Sequence, residues 1–228
     1  MICAVIPTLN SGDALSPLLL MLTETCERVV VSDGGSVNST IEQAIKGGAV
    51  ICTGTKGRGT QLARGANWAS HGADDAEWLL FLHSDVTLAP DWFTAIKTHI
   101  HKRPHKVGYF KFGADTPKWQ GRLMEFIVGL RCFWWHLPYG DQGLLISRDL
   151  YDAVGGYPDV PLFEDIGIID KIYDKVGRRG FAVLNSKIMT DVSAYTRDGF
   201  RKRTGRNFRL LKAYRRGVSI ESLLKDYT

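Results

Sequence analysis

No apolar stretch among the 228 residues approaches the length of a membrane span; the longest candidate, Phe126 to Trp135, is broken by Arg131. The start, Met1-Ile2-Cys3-Ala4-Val5-Ile6-Pro7, has neither the basic region nor the small-residue cleavage site of a signal peptide. It reads as a first strand, and a cytoplasmic location is the expectation. Cysteine is scarce: Cys3, Cys26, Cys52 and Cys132 are far apart, without the close pairs of zinc or dithiol redox sites, so buried structural thiols are expected. No Gly-x-Gly-x-x-Gly follows the first strand, which disfavours nicotinamide binding, and no Gly-Lys-Ser/Thr ends the later glycine-rich loop, which excludes a P-loop. Repeats, low-complexity tracts and linkers are missing too. The chain is therefore expected to be one domain with a basic helical tail.

What is present is alternation. Short β-branched runs alternate with helical patterns through the first half, which predicts an α/β fold with a parallel sheet wrapped by helices. Strands are expected at 2–6, 28–32, 49–52, 78–82 and 107–112, with helices at 14–25, 39–46, 60–69 and from 90 to about 102. The second half is less regular. A helix is expected at 119–130, then the aromatic cluster Cys132-Phe133-Trp134-Trp135-His136, a strand at 144–147, a short helix to Val154, a helix from Phe163-Glu164-Asp165 to Val176, and a strand at 181–184.

The stretch with most chemical content is Trp78-Leu79-Leu80-Phe81-Leu82-His83-Ser84-Asp85. An unbroken apolar run reads as a strand buried on both faces, and open α/β sheets bind ligands beyond the carboxyl ends of such strands. His83, Ser84 and Asp85 would stand there, unless they merely cap the next helix. Asp33 ends the second strand, where a carboxylate can accept hydrogen bonds from a nucleoside or shape the Gly34-Gly35 turn. Lys56-Gly57-Arg58-Gly59 precedes a helix, so backbone amides and Arg58 can face an anion, although a solvated loop has the same composition. Glu164 and Asp165 open a helix whose dipole favours ionised carboxylates; an acid there in a cleft can serve as a general base. Asp141, in a loop crowded by aromatics, is a third candidate acid.

Taken in order, Ile6-Pro7-Thr8-Leu9-Asn10, Val31-Ser32-Asp33-Gly34-Gly35-Ser36, Gly57-Arg58, Leu80-Phe81-Leu82-His83-Ser84-Asp85, Gly140-Asp141-Gln142-Gly143 and Phe163-Glu164-Asp165 resemble the family 2 glycosyltransferases. More narrowly, they are similar to a small bacterial subgroup associated with radical-SAM and selenodomain proteins. The resemblance spans about residues 2 to 185. It implies the GT-A fold: a nucleotide-sugar-binding half (1–112), an acceptor-side half (113–190) and the basic tail (191–228). It implies an inverting transfer of sugar from a nucleotide diphosphate sugar, UDP- or GDP-linked, to an acceptor hydroxyl. Pro7, Thr8, Asn10, Asp33, Gly34, Arg58, Ser84 and Asp85 would hold the donor, and Asp85 with His83 a divalent Mg²⁺ or Mn²⁺ ion. Asp165 would be the base, with Glu164 beside it, and Trp134, Asp141 and Gln142 would stand on the acceptor side.

The chain also departs from the family pattern. His83 replaces the first acid of Asp-X-Asp, Ser11 a glutamate, Ala63 an asparagine, and Gly167 an acid. No arginine-and-tryptophan motif is clear near Tyr195-Thr196-Arg197-Asp198, which leaves Arg197 and Arg201 as candidates for the diphosphate. Much of the net charge of +5 lies between Arg197 and Arg216. That tail reads either as an amphipathic helix resting on an anionic membrane, which suits a lipid-linked acceptor, or as a packed surface helix with a solvated basic face, the favoured reading. It carries no recognised nucleic-acid module. A sugar-1-phosphate nucleotidyltransferase is the enzymatic alternative, but it needs a glycine-rich loop with an activating lysine where Pro7 to Gly12 stands. A non-catalytic nucleotide-sugar sensor is the other.

Overall fold

Eight strands form one continuous sheet in the order β3-β2-β1-β4-β7-β6-β8-β5. They are β1 (Ile2–Thr8), β2 (Arg28–Asp33), β3 (Val50–Thr53), β4 (Trp78–Phe81), β5 (Val86–Leu88), β6 (Val107–Asp115), β7 (Leu144–Ser147) and β8 (Phe181–Asp191). The helices are α1 (Ser16–Thr23), α2 (Thr40–Lys46), α3 (Arg58–Trp68), α4 (Trp92–Lys102), α5 (Trp119–Trp135), α6 (Arg148–Ala153), α7 (Glu164–Val176), α8 (Ser193–Asp198), α9 (Phe200–Arg215) and α10 (Ile220–Tyr227). The computed structural model describes residues 1–69, 76–135 and 137–227; His136 of the aromatic cluster lies outside them.

The first four strands in sheet order are parallel, with Thr8 in register with Asp33 and Asp33 with Thr53. β7 runs antiparallel to β4 and β6, and β6 and β8 pair in parallel. This is the mostly parallel, helix-flanked sheet of the GT-A fold. Two apolar layers hold it. On one face Val5, Val30, Leu79, Phe81 and Ile146 pack with Leu62 and Ala66 of α3 and with Ile168 and Ile172 of α7. On the other, Ile6, Val31, Leu80 and Leu145 pack with Leu15, Leu19, Leu22 and Ile96. Alternate residues of β1 and β4 point to opposite layers, which is why these strands read as unbroken apolar runs.

Several boundaries differ from the sequence expectation. Pro7 and Thr8 belong to β1 and not to a turn, because β1 and β2 stay in register up to Asp33. The aromatic cluster is no separate segment: α5 continues through it to Trp135. β8 runs on to Asp191, since its far half pairs both with β6 and with the short β5, which periodicity did not indicate. The four cysteines are buried and free, as expected. Burial pushes the Cys3 and Cys26 thiols up to about 12, so both stay protonated.

Candidate functional site

The carboxyl ends of β1 and β4 open on a cleft of about 450 Å³, within the size range of small-ligand sites. Pro7, Thr8 and Ser11 line one wall, Lys56, Gly57 and Arg58 another, and His83, Ser84 and Asp85 the floor beyond β4. The Ser11 hydroxyl donates to Ser84 Oγ at 2.8 Å, which joins two of these walls. Two cations therefore face the cleft from the glycine-rich loop, while Arg197 is paired with Asp198 and lies outside its lining, as does Arg201.

The glycine-rich loop is built by its glycines for two different reasons. Gly57 has φ of 149°, which L side chains rarely adopt, and Gly59 has no room: a Cβ there would lie 2.3 Å from the Pro158 carbonyl oxygen and 3.2 Å from Glu164 Cβ. The start of α3 thus packs directly against the loop that carries the acid pair. Arg58 Nη1 meets Glu164 Oε1 at 3.4 Å, and Thr60 donates its hydroxyl proton to Asp159. Gln61, which nothing in the sequence singles out, is the fastener. It is buried, its Nε2 donates to Thr8 O at 2.7 Å and Ser32 O at 2.9 Å, and its Oε1 accepts from Gly57 N–H.

Asp33 and Asn10 are both held by the turn that follows β2. Asp33 is only 1% exposed and does not line the cleft. Its Oδ1 accepts from the Thr8 and Ser36 hydroxyls and its Oδ2 from the Gly35 and Ser36 amides. Burial alone would raise this carboxyl, but the bonds from Ser36, Gly35 and Thr8 outweigh it and hold it below the usual carboxylate value. Asn10, at φ 56°, sits in the left-handed region that asparagine tolerates, and its Oδ1 accepts from Val37 N–H. Both residues shape the 34–38 turn, and Gly34 lies against the Gln61 amide.

The second acid group is on the far side of the cleft. Phe163 is itself left-handed at φ 63°, and turns the chain so that Glu164 and Asp165 open α7. Asp165 Oδ2 accepts from Gly140 N–H at 3.0 Å and Oδ1 from Ile166 N–H at 2.8 Å. Gly140 also touches the histidine: a Cβ there would lie 2.7 Å from His83 Nε2 and 3.5 Å from Asp165 Cβ. Only a residue without a side chain lets the end of β4 and the start of α7 come this close. Burial pushes Glu164 above its ordinary value, the neighbouring Asp165 adds to the shift, and Arg58 opposes it. Burial likewise pushes His83 down, to about 3, with Arg58 adding to the effect, so the ring is neutral.

Asp141 belongs to the same group electrostatically. Burial raises its carboxyl, Arg131 opposes the rise and Asp165 adds to it. Its Oδ1 is buried without a hydrogen-bond partner among the described residues. Gln142 turns away from this acid group: its amide donates to Phe110 O, and its oxygen accepts from Arg131 and Cys132. These bonds tie the loop to β6 and α5. Trp134 is more than half exposed near the end of α5 and lines neither this cleft nor the small pocket beside Asp165.

For a divalent ion, the neutral His83 imidazole and the exposed Asp85 carboxylate are a donor pair of the right chemistry at the cleft floor. Among the described residues no group of three or more His, Cys, Asp or Glu side chains is arranged to hold a metal, so remaining ligands would come from the bound substrate and water.

A parallel β-layer whose carboxyl edge opens on a cleft, with an acid pair brought in from a helix beyond the crossover, defines an α/β protein with a candidate ligand site at the strand ends. Residues 3–157 match the family described as glycosyl transferase family 2, and the chain belongs to that family. Among solved structures it is similar to glucosyl-3-phosphoglycerate synthase from Mycobacterium tuberculosis in complex with phosphoglyceric acid. That match has 19% identity and a TM-score of 0.60, and covers 84% of this chain and 70% of that one. The same synthase with Mn²⁺, uridine diphosphate and glucosyl-3-phosphoglycerate matches at 18% identity and a TM-score of 0.59, covering 84% and 70%. TarS from S. aureus matches at 16% identity and a TM-score of 0.63, covering 84% of this chain but 37% of that one. At these identities the likeness speaks for the fold. No curated protein matches the chain by sequence at a significant level.

Proposed function

We propose that the protein transfers a sugar from a nucleotide diphosphate sugar to an acceptor hydroxyl with inversion at the anomeric carbon. The observation that carries this reading is Gly140, which lies against both His83 and Asp165 and so sets the donor cleft one residue's width from an acid suited to general-base work. Residues 1–112 supply the donor side, 113–190 the acceptor side, and 191–228 brace the second. Work at the cytoplasmic face of a membrane is part of the same proposal.

In this reading Pro7, Thr8 and Ser11 bound the nucleoside end of the cleft, and Lys56 and Arg58 neutralise the diphosphate. His83 and Asp85 would hold a divalent ion, which when bound supplies positive charge to the leaving phosphate. Asp165 takes the proton from the acceptor hydroxyl. Two backbone N–H bonds fix its orientation, so it needs no rearrangement to act. Glu164, whose carboxyl burial pushes upward, braces Arg58 beside the base. That the similar synthase was crystallised with Mn²⁺ and uridine diphosphate supports a UDP-sugar as the first donor to try.

The test is a thermal-shift panel of UDP-, GDP- and dTDP-sugars with and without Mn²⁺, followed by transfer assays on Asp165→Asn. The variant is expected to bind donor as the parent does and to lose transfer by about 100-fold or more. Undiminished turnover would remove Asp165 from the role. Equal donor affinity after chelation, in the parent and in Asp85→Ala, would remove the ion.

A further inference from the structure

The face of α5 that looks outward is the apolar one. Trp119, Leu123, Phe126, Leu130 and Phe133 recur at steps of four and three, the spacing of a single helical stripe, and all are exposed; Ile127 and Trp134 widen it. Phe126 is 63% exposed, Phe133 70% and Trp119 68%. Seven large apolar side chains on about 25 Å of one helix far exceed scattered surface hydrophobics.

The polar residues around the stripe are cationic. Lys118 and Arg122 are exposed beside it, and Arg178 reaches the Phe133 carbonyl at 3.5 Å. The acid of the helix, Glu125, is turned inward, where it accepts from Ala114 N–H and pairs with Arg122 and Lys187. A convex apolar ridge with tryptophan near both ends and cations at its margin has the composition of a helix lying in a lipid interface. It is not a groove for a peptide. A second copy fits less well. Parallel pairing of two α5 helices sets Arg122 against Arg122, and antiparallel pairing about Phe126 buries Lys118 against Trp134 with no counter-charge from α5, while Arg122 keeps its Glu125 partner.

We propose that α5 is a membrane-surface helix, and that its outer face docks on an anionic bilayer. The helix is too short and not apolar enough to cross one. The basic α9 has spent its own apolar residues differently: Leu210 is buried and Tyr214 stacks on Phe163 at 4.8 Å, which leaves Phe208 as its large exposed apolar side chain. Arg131 of α5 donates to Leu137 O and Gln142 Oε1, and the same loop gives Gly140 N–H to Asp165. A docked α5 is therefore tied through one loop to the acid group. Resting on the transferase reading above, this makes an acceptor carried in the bilayer the substrate class the site would meet.

The experiment is co-sedimentation of the full chain with phosphatidylcholine–phosphatidylglycerol vesicles and with pure phosphatidylcholine vesicles, read with tryptophan quenching by brominated lipid. The parent is expected to pellet with the anionic vesicles and to be quenched. The exposed double variant Phe126→Ser, Phe133→Ser is expected to lose at least about tenfold in vesicle affinity with its melting temperature unchanged. Should that variant unfold, Lys118→Glu with Arg122→Glu is read in its place, with the same loss expected. No pelleting of the parent, pelleting unaffected by either variant, or a solution dimer that Phe126→Ser, Phe133→Ser dissociates, would each overturn the proposal. Thermal shift with uridine diphosphate and Mn²⁺ is measured in parallel. Intact donor binding without vesicle binding sinks the lipid surface only, and the reverse sinks only the transferase.

Discussion

At the scale of single residues, the acids of this chain divide by what surrounds them. Asp33 ends β2 with four internal hydrogen bonds and a lowered carboxyl. A group whose folded value lies below its unfolded one stabilises the fold above the unfolded value and loses that contribution as the pH falls. Asp33→Asn should therefore cost about 2–3 kcal/mol at neutral pH, and the gap between parent and variant in urea unfolding should close as the pH falls below 3.8. A gap independent of pH would show that the charge is not what matters. Asp141 is the opposite case. Its folded value is raised by burial, so its stabilising contribution is present below 3.8 and lost as the pH rises. Asp141→Asn is expected to melt higher than the parent at pH 7 while transferring sugar more slowly, the pattern of a site that keeps an awkward charge for use. A lower melting temperature would mean that Oδ1 has a partner in solution.

Elements decide what these residues can reach. α3 begins where it does because Gly57 supplies the backbone angle and Gly59 the clearance, and its first turn is pressed on Pro158 and Val160. Gly59→Ala asks for space that is filled by backbone carbonyls, which do not move as a side-chain end would. Such overpacking is expected to cost about 1–3 kcal/mol and, because Glu164 Cβ is also in contact, to lower transfer. A full-strength enzyme of unchanged melting temperature would show that the loop yields freely. The extra length of α5 is a similar matter. Its aromatic end reads as an irregular cluster because large apolar residues on an outward face give no core-facing period.

For the whole molecule, the sheet joins both sides of the cleft, and the C-terminal helices brace the acid-bearing loop. Tyr214 of α9 stacks on the strained Phe163, Arg215 pairs with Asp170, and Asn207 donates to Tyr195. α9 thus packs through Leu210 and Tyr214 and leaves most of its basic residues exposed. Removing residues after Thr196 should cost about 3 kcal/mol, which for a chain of this size lowers the melting temperature by roughly 6–12 °C. Donor binding at the β1 and β4 ends should survive while transfer falls, because the support lost is that of Phe163 to Asp165. A truncated protein that transfers normally would reduce the tail to an appendage.

The sequence by itself determined the parallel β-layer, since strands buried on both faces must be written as apolar runs, and with it the position of His83-Ser84-Asp85 beyond β4. It also determined that Glu164 and Asp165 open a helix. What only the tertiary structure decided was which polar groups are spent inside the protein. Asp33 and Gln142 satisfy neighbours, Gln61 fastens three segments, and Gly140 closes the distance between His83 and Asp165. Hydrogen bonds and clearances between residues far apart in the chain leave no period or spacing in it. A local pattern therefore fixes where a strand ends, but not what its last side chain touches.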